Sequence, residues 1–281
     1  MRALVTGAGG QLGRELVTRL GARAAASLRH EDLDVADGAA VAAAVKAARP
    51  DVVINAAAYN RVDQAETEAA TALAVNATGV LHLARAAAEA GALFVHVSTD
   101  YVFDGALARP YTEQDAPRPL SVYGISKRAG EMMVEAVGAP ALVVRTSGVF
   151  GPGGSRAKGG SFVDRILERA RAGGPLRVVD DQLFAPTYAP DLAQALLALV
   201  DGGARGVVHV TSEGSCTWHE LAVAALELAG LGVPVERIRT ADLGAPARRP
   251  PYSVLSTARY RGLGHAPLRP WRGALAEMLG R

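Results

Sequence analysis

The eight residues Thr6 to Gly13, TGAGGQLG, restrict the possible folds of this chain more than any other stretch. They stand between a short apolar run, RALVT (2–6), and a helical stretch from Gln11 to Leu20, and they set Gly7, Gly10 and Gly13 in a G-x-x-G-x-x-G pattern. Glycines at a strand-to-helix joint allow a tight turn, close backbone approach to a pyrophosphate and tight packing of helix on strand. The helix N-terminus is then aimed at the phosphate charge. A glycine turn alone says little. Its place after the first strand and before the first helix predicts a dinucleotide site formed by Gly7, Gly10, Gln11, Leu12 and Gly13.

The pattern downstream agrees. Short β-rich runs at AAASL (24–28), VVIN (52–55), LFVHVS (93–98) and ALVVRT (141–146) alternate with Ala-rich helical stretches, including one predicted from about Thr67 to Glu89. Unbroken apolar strands separated by helices mean crossover units and a parallel sheet covered on both faces. The expected class is α/β: a Rossmann-like doubly wound parallel sheet with a smaller C-terminal substrate-binding lobe. We expect residues 1–147 to form the NAD(P)-binding domain, its sheet completed by parts of 174–211, and 148–281 to form mainly the discontinuous lobe. The stretch GPGGSRAKGGS (151–161) reads as a mobile glycine-rich loop.

Charge and composition exclude several classes. The 281 residues carry 30 Lys+Arg against 28 Asp+Glu, a formal charge of +2, with no basic run interleaved with aromatics, so no nucleic-acid partner is expected. The one cysteine, Cys216, cannot close an intramolecular disulfide, which suits a reducing compartment, and a cytoplasmic location is expected. Neither a signal peptide nor a run of about 18 apolar residues is seen, so no membrane partner is expected. The six histidines show no metal-ligand spacing and no metal site is predicted. A Mg2+ ion at an interface is compatible with the chain, but the carboxylates are too dispersed to nominate ligands.

Beyond the second strand, a carboxylate would clasp the adenosine ribose. The chain has Arg29 there, which can pair with a 2′-phosphate and favours NADPH over NADH; Glu31 blurs that preference, and a plain surface charge is the competing reading. Asp34 and Val35 are candidates for the adenine pocket, and Asp37 for a helix N-cap. Ala56 to Ala58 leave room for cofactor after the third strand, although alanine is also a simple helix former. Ser98 and Thr99 end the fourth strand, where open parallel sheets bind ligands. About two dozen residues on, VYGISK (122–127) places Tyr123 four residues before Lys127, so both side chains share one helix face. A tyrosine with a pKa of roughly 10 is a sluggish acid, and a nearby ammonium is expected to lower that value. Thr99 would then hydrogen-bond a substrate carbonyl and hold it against Tyr123, the general acid.

These residues resemble the extended short-chain dehydrogenase/reductase superfamily and, within it, the dTDP-4-dehydrorhamnose reductase family. The likeness covers essentially the whole chain, most specifically GAGGQLG (7–13), NAAAYNRVDQAE (55–66), STDYVFDG (98–105), PLSVYGISKRAGE (119–131), VVDDQLFAPTYAPDLA (178–193) and TWHELA (217–222). It implies that Thr99, Tyr123 and Lys127 are the catalytic set and that NADPH, or alternatively NADH, reduces the 4-keto group of a dTDP-linked 4-keto-6-deoxysugar. It further implies that Asn55, Ala56, Ala57 and Tyr59 border the cofactor. Val62 and Tyr101 would approach the sugar, Arg249 the diphosphate, and the turn Ala185 to Thr187 would shape the pocket. The family includes monomers and homodimers.

The chain departs from the family at Gly148, where a tryptophan is common, at Ser161-Phe162 in place of Asn-Phe, and at Asn60 and Arg61. These positions put the sugar in question, not the reduction. The competing readings are another deoxysugar 4-ketoreductase, a non-catalytic regulatory subunit of the methionine adenosyltransferase type, and a nucleotide-sugar epimerase or dehydratase. Intact Thr99, Tyr123 and Lys127 disfavour the second; the short chain and Arg29 disfavour the third.

Overall fold

The apolar runs pair in parallel because each is followed by a helical connection long enough to return the chain to the sheet's starting edge. The computed structural model describes residues 1–154 and 159–281; the centre of the expected glycine loop, 155–158, lies outside them. The strands are β1 (Ala3–Thr6), β2 (Ala24–Leu28), β3 (Val52–Asn55), β4 (Leu93–Thr99), β5 (Ala141–Thr146) and Gly206–His209. Their spatial order is Gly206–His209, β5, β4, β3, β1, β2, with every pairing parallel. Growth of the sheet reverses between β1 and β3, the switch point at which open α/β sheets bind ligands beyond the strands' carboxyl ends.

Alternation along each strand feeds two cores. Ala3 and Val5 face one, with Leu12, Leu16 and Leu20 of α1 (Gln11–Leu20) and Leu192 and Leu196 of the helix Ala189–Asp201. Leu4 faces the other, with Val41 and Val45 of α2 (Gly38–Ala48). Asp37 caps α2 through the amides of Ala39 and Ala40.

The single helix predicted from Thr67 to Glu89 is interrupted. A short helix α3 (Ala69–Leu73) leads into a π-turn (Ala74–Thr78), and α4 (Gly79–Glu89) follows. The π-turn carries Asn76, fully buried, whose amide bonds both Tyr59 N and Tyr59 O and the hydroxyl of Ser126. A side chain inserted among the helix's neighbours accounts for the irregularity. α5 (Val122–Val137) packs against this turn at Gly130, where a Cβ would stand 2.2 Å from Asn76 O.

A third core holds the C-terminal segments together. The helices Phe162–Arg171 and Trp218–Ala229 begin in capping boxes, Ser161 with Asp164 and Thr217 with Glu220. They pack through Val163, Leu167, Leu221 and Ala225, beside the parallel pair Leu176–Val179 and Val235–Ile238. Within 174–211, therefore, Gly206–His209 joins the main sheet while Leu176–Val179 pairs elsewhere.

Candidate active site

A cleft of about 1270 Å³ runs along the sheet's carboxyl edge between the two parts. Ligand pockets typically measure some 300–1,000 Å³, so this one has room for two sizeable ligands. One end is the glycine turn. Gly7 adopts φ 69°, and a Cβ on it would lie 2.5 Å from Ala57 N; one on Gly13 would lie 2.1 Å from Gly7 O. Only glycine permits this closeness of α1, β1 and the loop after β3. Gly10 caps α1 with no side-chain hydrogen bond, which leaves the first-turn amides for an anionic ligand or water. Gln11 and Leu12 line the same end, and the Gln11 amide donates to Gly151 O.

Arg29, Asp34 and Val35 line the cleft beyond β2. The Arg29 guanidinium is already engaged, at 3.0 Å from Asp32 and 3.2 Å from Glu31. A 2′-phosphate would have to compete with those surface carboxylates. Ala56, Ala57, Ala58 and Tyr59 form the adjoining wall, and the Tyr59 hydroxyl donates to Glu68.

Two expected cofactor residues are otherwise occupied. Asn55 is buried at the end of β3, where its Oδ1 accepts from Thr6 and from the Ala57 amide; it shapes the loop from below. Ser98 reaches the cleft, but its hydroxyl donates to Glu131 at 2.6 Å. Glu131 in turn makes a two-pronged, fully buried pair with Arg145, at 2.8 Å on each prong. Sequence reasoning passed over Glu131, although it stands one turn beyond Lys127 on α5.

The VYGISK stretch opens α5. Ser121 caps the helix through Gly124 N, and Gly124 allows it to press on the turn after β4, where a Cβ would meet Tyr101 O at 2.4 Å. This contact sets Tyr123 edge-on to Tyr101, ring centres 5.9 Å apart, beside Thr99. Around Tyr123 burial works against the expected lowering of its pKa. Burial pushes its pKa up to about 12, and the charge of Asp100 adds to the rise while a hydrogen bond with Thr99 opposes it. Lys127 lines the same cleft, its Nζ 2.7 Å from Val97 O and 3.4 Å from His96 Nε2. Burial lowers Lys127 to about 8, a shift that Glu131 resists. The helical spacing placed both groups on one face, but packing against β4 chose the lysine's partners.

Asp100, also passed over, organises the floor. Its buried carboxylate accepts from Thr99 at 3.0 Å, Ser147 at 2.8 Å and Ser253 at 2.5 Å. The Thr99 proton expected to reach a carbonyl is therefore directed to Asp100 in this state. Burial raises the Asp100 pKa against those three hydrogen bonds. Thr146, at the end of β5, also lines the cleft, and its buried hydroxyl has no hydrogen-bond partner among the described residues.

On the opposite wall are Val62, Tyr101 and Arg249. Arg249 bonds Asp63 at 2.8 Å and also Tyr101; burial works against its charge, but these partners hold its pKa up. Gly148 sits at φ 47°, and a Cβ there would lie 2.2 Å from the Phe184 ring. Phe184 stacks on Trp218 at 4.0 Å, and Trp218 meets Phe162 at 4.8 Å, so three aromatics build the wall beside Gly148. Ala185 and Thr187 are buried behind it, Thr187 bonding Ala185 O. Asn60, Arg61 and Ser161 also border the cleft. Among the described residues no group of three or more His, Cys, Asp or Glu is placed to hold a metal, and no helix is long and apolar enough to cross a membrane.

A parallel sheet with a glycine-built strand-to-helix turn, and a Tyr-x-x-x-Lys helix beside a strand-end threonine, define a Rossmann-like protein of the extended short-chain dehydrogenase/reductase type. The match to the model "RmlD substrate binding domain" spans residues 1–281, and the chain belongs to that family. It is 44% identical to dTDP-4-dehydrorhamnose reductase of Streptomyces griseus, over 98% of this chain and 92% of the relative. It is 38% identical to dTDP-4-keto-6-deoxy-D-glucose reductase of Streptomyces niveus, over 98% and 96%. The crystal structure of dTDP-4-dehydrorhamnose reductase from Bacillus anthracis in complex with NADP superposes with a TM-score of 0.92 at 34% identity, covering 99% of this chain and 98% of the other.

Proposed function

We propose that this protein reduces the 4-keto group of dTDP-4-dehydro-L-rhamnose to dTDP-L-rhamnose with NADPH, NADH being the alternative donor. The observation that carries the reading is the joining of Tyr123 and Thr99 to the glycine turn by one cleft large enough for cofactor and sugar nucleotide. The S. griseus relative's name and the NADP of the B. anthracis complex support it.

The residues fit a dinucleotide: the Gly7–Gly13 cradle and the start of α1, whose first-turn amides no side chain caps, both line the cleft. When bound, the reduced nicotinamide supplies a hydride to the carbonyl carbon. Tyr123, kept protonated by its raised pKa, gives its proton to the oxygen that becomes the alkoxide. Lys127 supplies positive charge that favours the phenolate left behind. Thr99 fixes the phenol and takes its own orientation from Asp100. Arg249, with a planar fork of donors, holds the diphosphate in exchange for Asp63. In this reading the chain acts in the cytoplasm, as a monomer or homodimer.

The test follows loss of reduced-nicotinamide absorbance with dTDP-4-dehydro-L-rhamnose. Tyr123→Phe should lower kcat/KM about 10²- to 10⁴-fold with cofactor affinity retained; full activity in that variant removes Tyr123 as the acid. A second reading, reduction of a related dTDP-4-keto-6-deoxysugar, draws on the S. niveus relative and on the Gly148–Phe184 wall. It wins if such a sugar is consumed and the rhamnose precursor is not.

A further inference from the structure

A buried chain of polar side chains runs from β1 through β3 and β4 to Lys127, and its hydrogen atoms can be assigned one by one. Asn55 Oδ1 lies 3.1 Å from the Ala57 backbone nitrogen, which can only donate, so that atom is the oxygen and not the amide nitrogen. The Thr6 hydroxyl donates to the same oxygen at 2.8 Å. The Asn55 NH₂ must therefore point the other way, where it meets His96 Nδ1 at 3.2 Å. Nδ1 is then an acceptor and bears no hydrogen. His96 is fully buried, and burial is the chief cause that drives it well below its ordinary pKa; a ring whose Nδ1 is bare is in any case neutral. A neutral ring with bare Nδ1 carries its proton on Nε2.

That proton faces Lys127 Nζ at 3.4 Å. An ammonium has three donors and no acceptor, so it cannot receive a hydrogen bond from Nε2–H. An amine can: its lone pair accepts from His96 while one of its hydrogens goes to Val97 O at 2.7 Å. The tautomer that would suit an ammonium puts the proton on Nδ1, against the Asn55 NH₂. Asn55 cannot flip without turning that NH₂ onto the Ala57 N–H.

We propose that His96, held by Asn55 in its Nε2–H form, biases Lys127 toward the neutral amine in the free protein, and that Lys127 holds its charge more firmly when ligand contacts outweigh this donor. His96 is thus a positioning residue acting through Lys127. The other groups around the lysine are Tyr123 and Glu131, one turn to either side on α5, with Asp100 beyond Tyr123. Glu131, whose charge favours the ammonium, is neutralised by Arg145 of β5 and Arg128 of α5. The consequence for the reduction rests on the function proposed above; the tautomer does not.

Two measurements decide it. In the unsubstituted free protein with ¹⁵N-labelled histidine, long-range ¹H–¹⁵N correlation at neutral pH should show His96 protonated on Nε2 alone. A proton on Nδ1, or on both nitrogens, overturns the proposal whether or not the protein reduces any sugar. In His96→Gln, whose side-chain carbonyl can accept from an ammonium, the alkaline limb of kcat/KM should move up by about one pH unit, tenfold in the ionisation constant. An unmoved limb in a folded variant overturns the link to Lys127. Should the variant not fold, the tautomer measurement decides alone. Absence of turnover in the unsubstituted protein refutes the proposed function and leaves the tautomer result standing.

Discussion

At the residue scale, three titrating side chains lie in one line along α5, Tyr123, Lys127 and Glu131, and their surroundings push them in different directions. Tyr123 stays a phenol throughout the physiological range because burial raises it, so its acid form is always supplied. Lys127, lowered to about 8 by burial, is charged below that value and neutral above it. With the ammonium needed for turnover, kcat/KM should be flat in the acid direction from neutrality and fall as pH rises through about 8, as a pH–rate profile will show. Glu131 follows the opposite sign. Burial would raise it, but Arg145's hydrogen bonds and charge, helped by Ser98 and Arg128, leave it below its ordinary value. Its stabilising contribution is therefore present above the ordinary carboxylate pKa and lost as pH falls through the folded one. Glu131→Gln strands the Arg145 guanidinium among buried groups and should cost about 3–5 kcal/mol, measured by urea denaturation at pH 7.

At the scale of elements, the site depends on glycines that let helices approach other backbone, and here packing is decisive. α5 touches the turn after β4 at Gly124 and the π-turn at Gly130, with 2.4 Å and 2.2 Å to the nearest carbonyl oxygens had either carried a Cβ. Gly124→Ala should force the head of α5 away from Tyr101 and misplace the phenol. We expect about 1–3 kcal/mol of destabilisation and a loss in kcat of about 10²-fold with the cofactor's dissociation constant little changed, separable by denaturation and by steady-state kinetics beside a binding titration. The interruption of the helix before α4 belongs to the same scale. Val75, Asn76, Thr78 and Gly79 are weaker helix formers than the alanines around them, and the Asn76 amide is drawn to Tyr59 and Ser126 where the ladder widens. Nothing in the local sequence announces those two partners.

At the scale of the whole molecule, Asp100 joins what the chain separates by up to 153 residues: the end of β4, Ser147 after β5 and Ser253 in the C-terminal part. Asp100→Ala would leave three hydroxyls without their acceptor and should cost about 3 kcal/mol or more, seen calorimetrically as a lower Tm together with loss of activity. Retained stability would show that the two parts are held by their apolar contacts alone. The parallel sheet, the glycine turn and the Tyr-Lys helix were legible because each is written in local terms: unbroken apolar strands, glycine where backbone must approach backbone, two side chains one turn apart. The interrupted helix and the separate pairing of Leu176–Val179 were not, since both follow from partners far away in the chain. The same holds for the cleft wall beside Gly148, whose shape comes from Phe184 and Trp218. The sequence alone determined which chemical groups are present and which element carries each. Tertiary structure alone decided their protonation and partners, raising Tyr123, turning Lys127 to His96 and Val97, and giving the Thr99 proton to Asp100. The reason is physical: desolvation and hydrogen-bond direction depend on every neighbour at once, and most of those neighbours come from other strands.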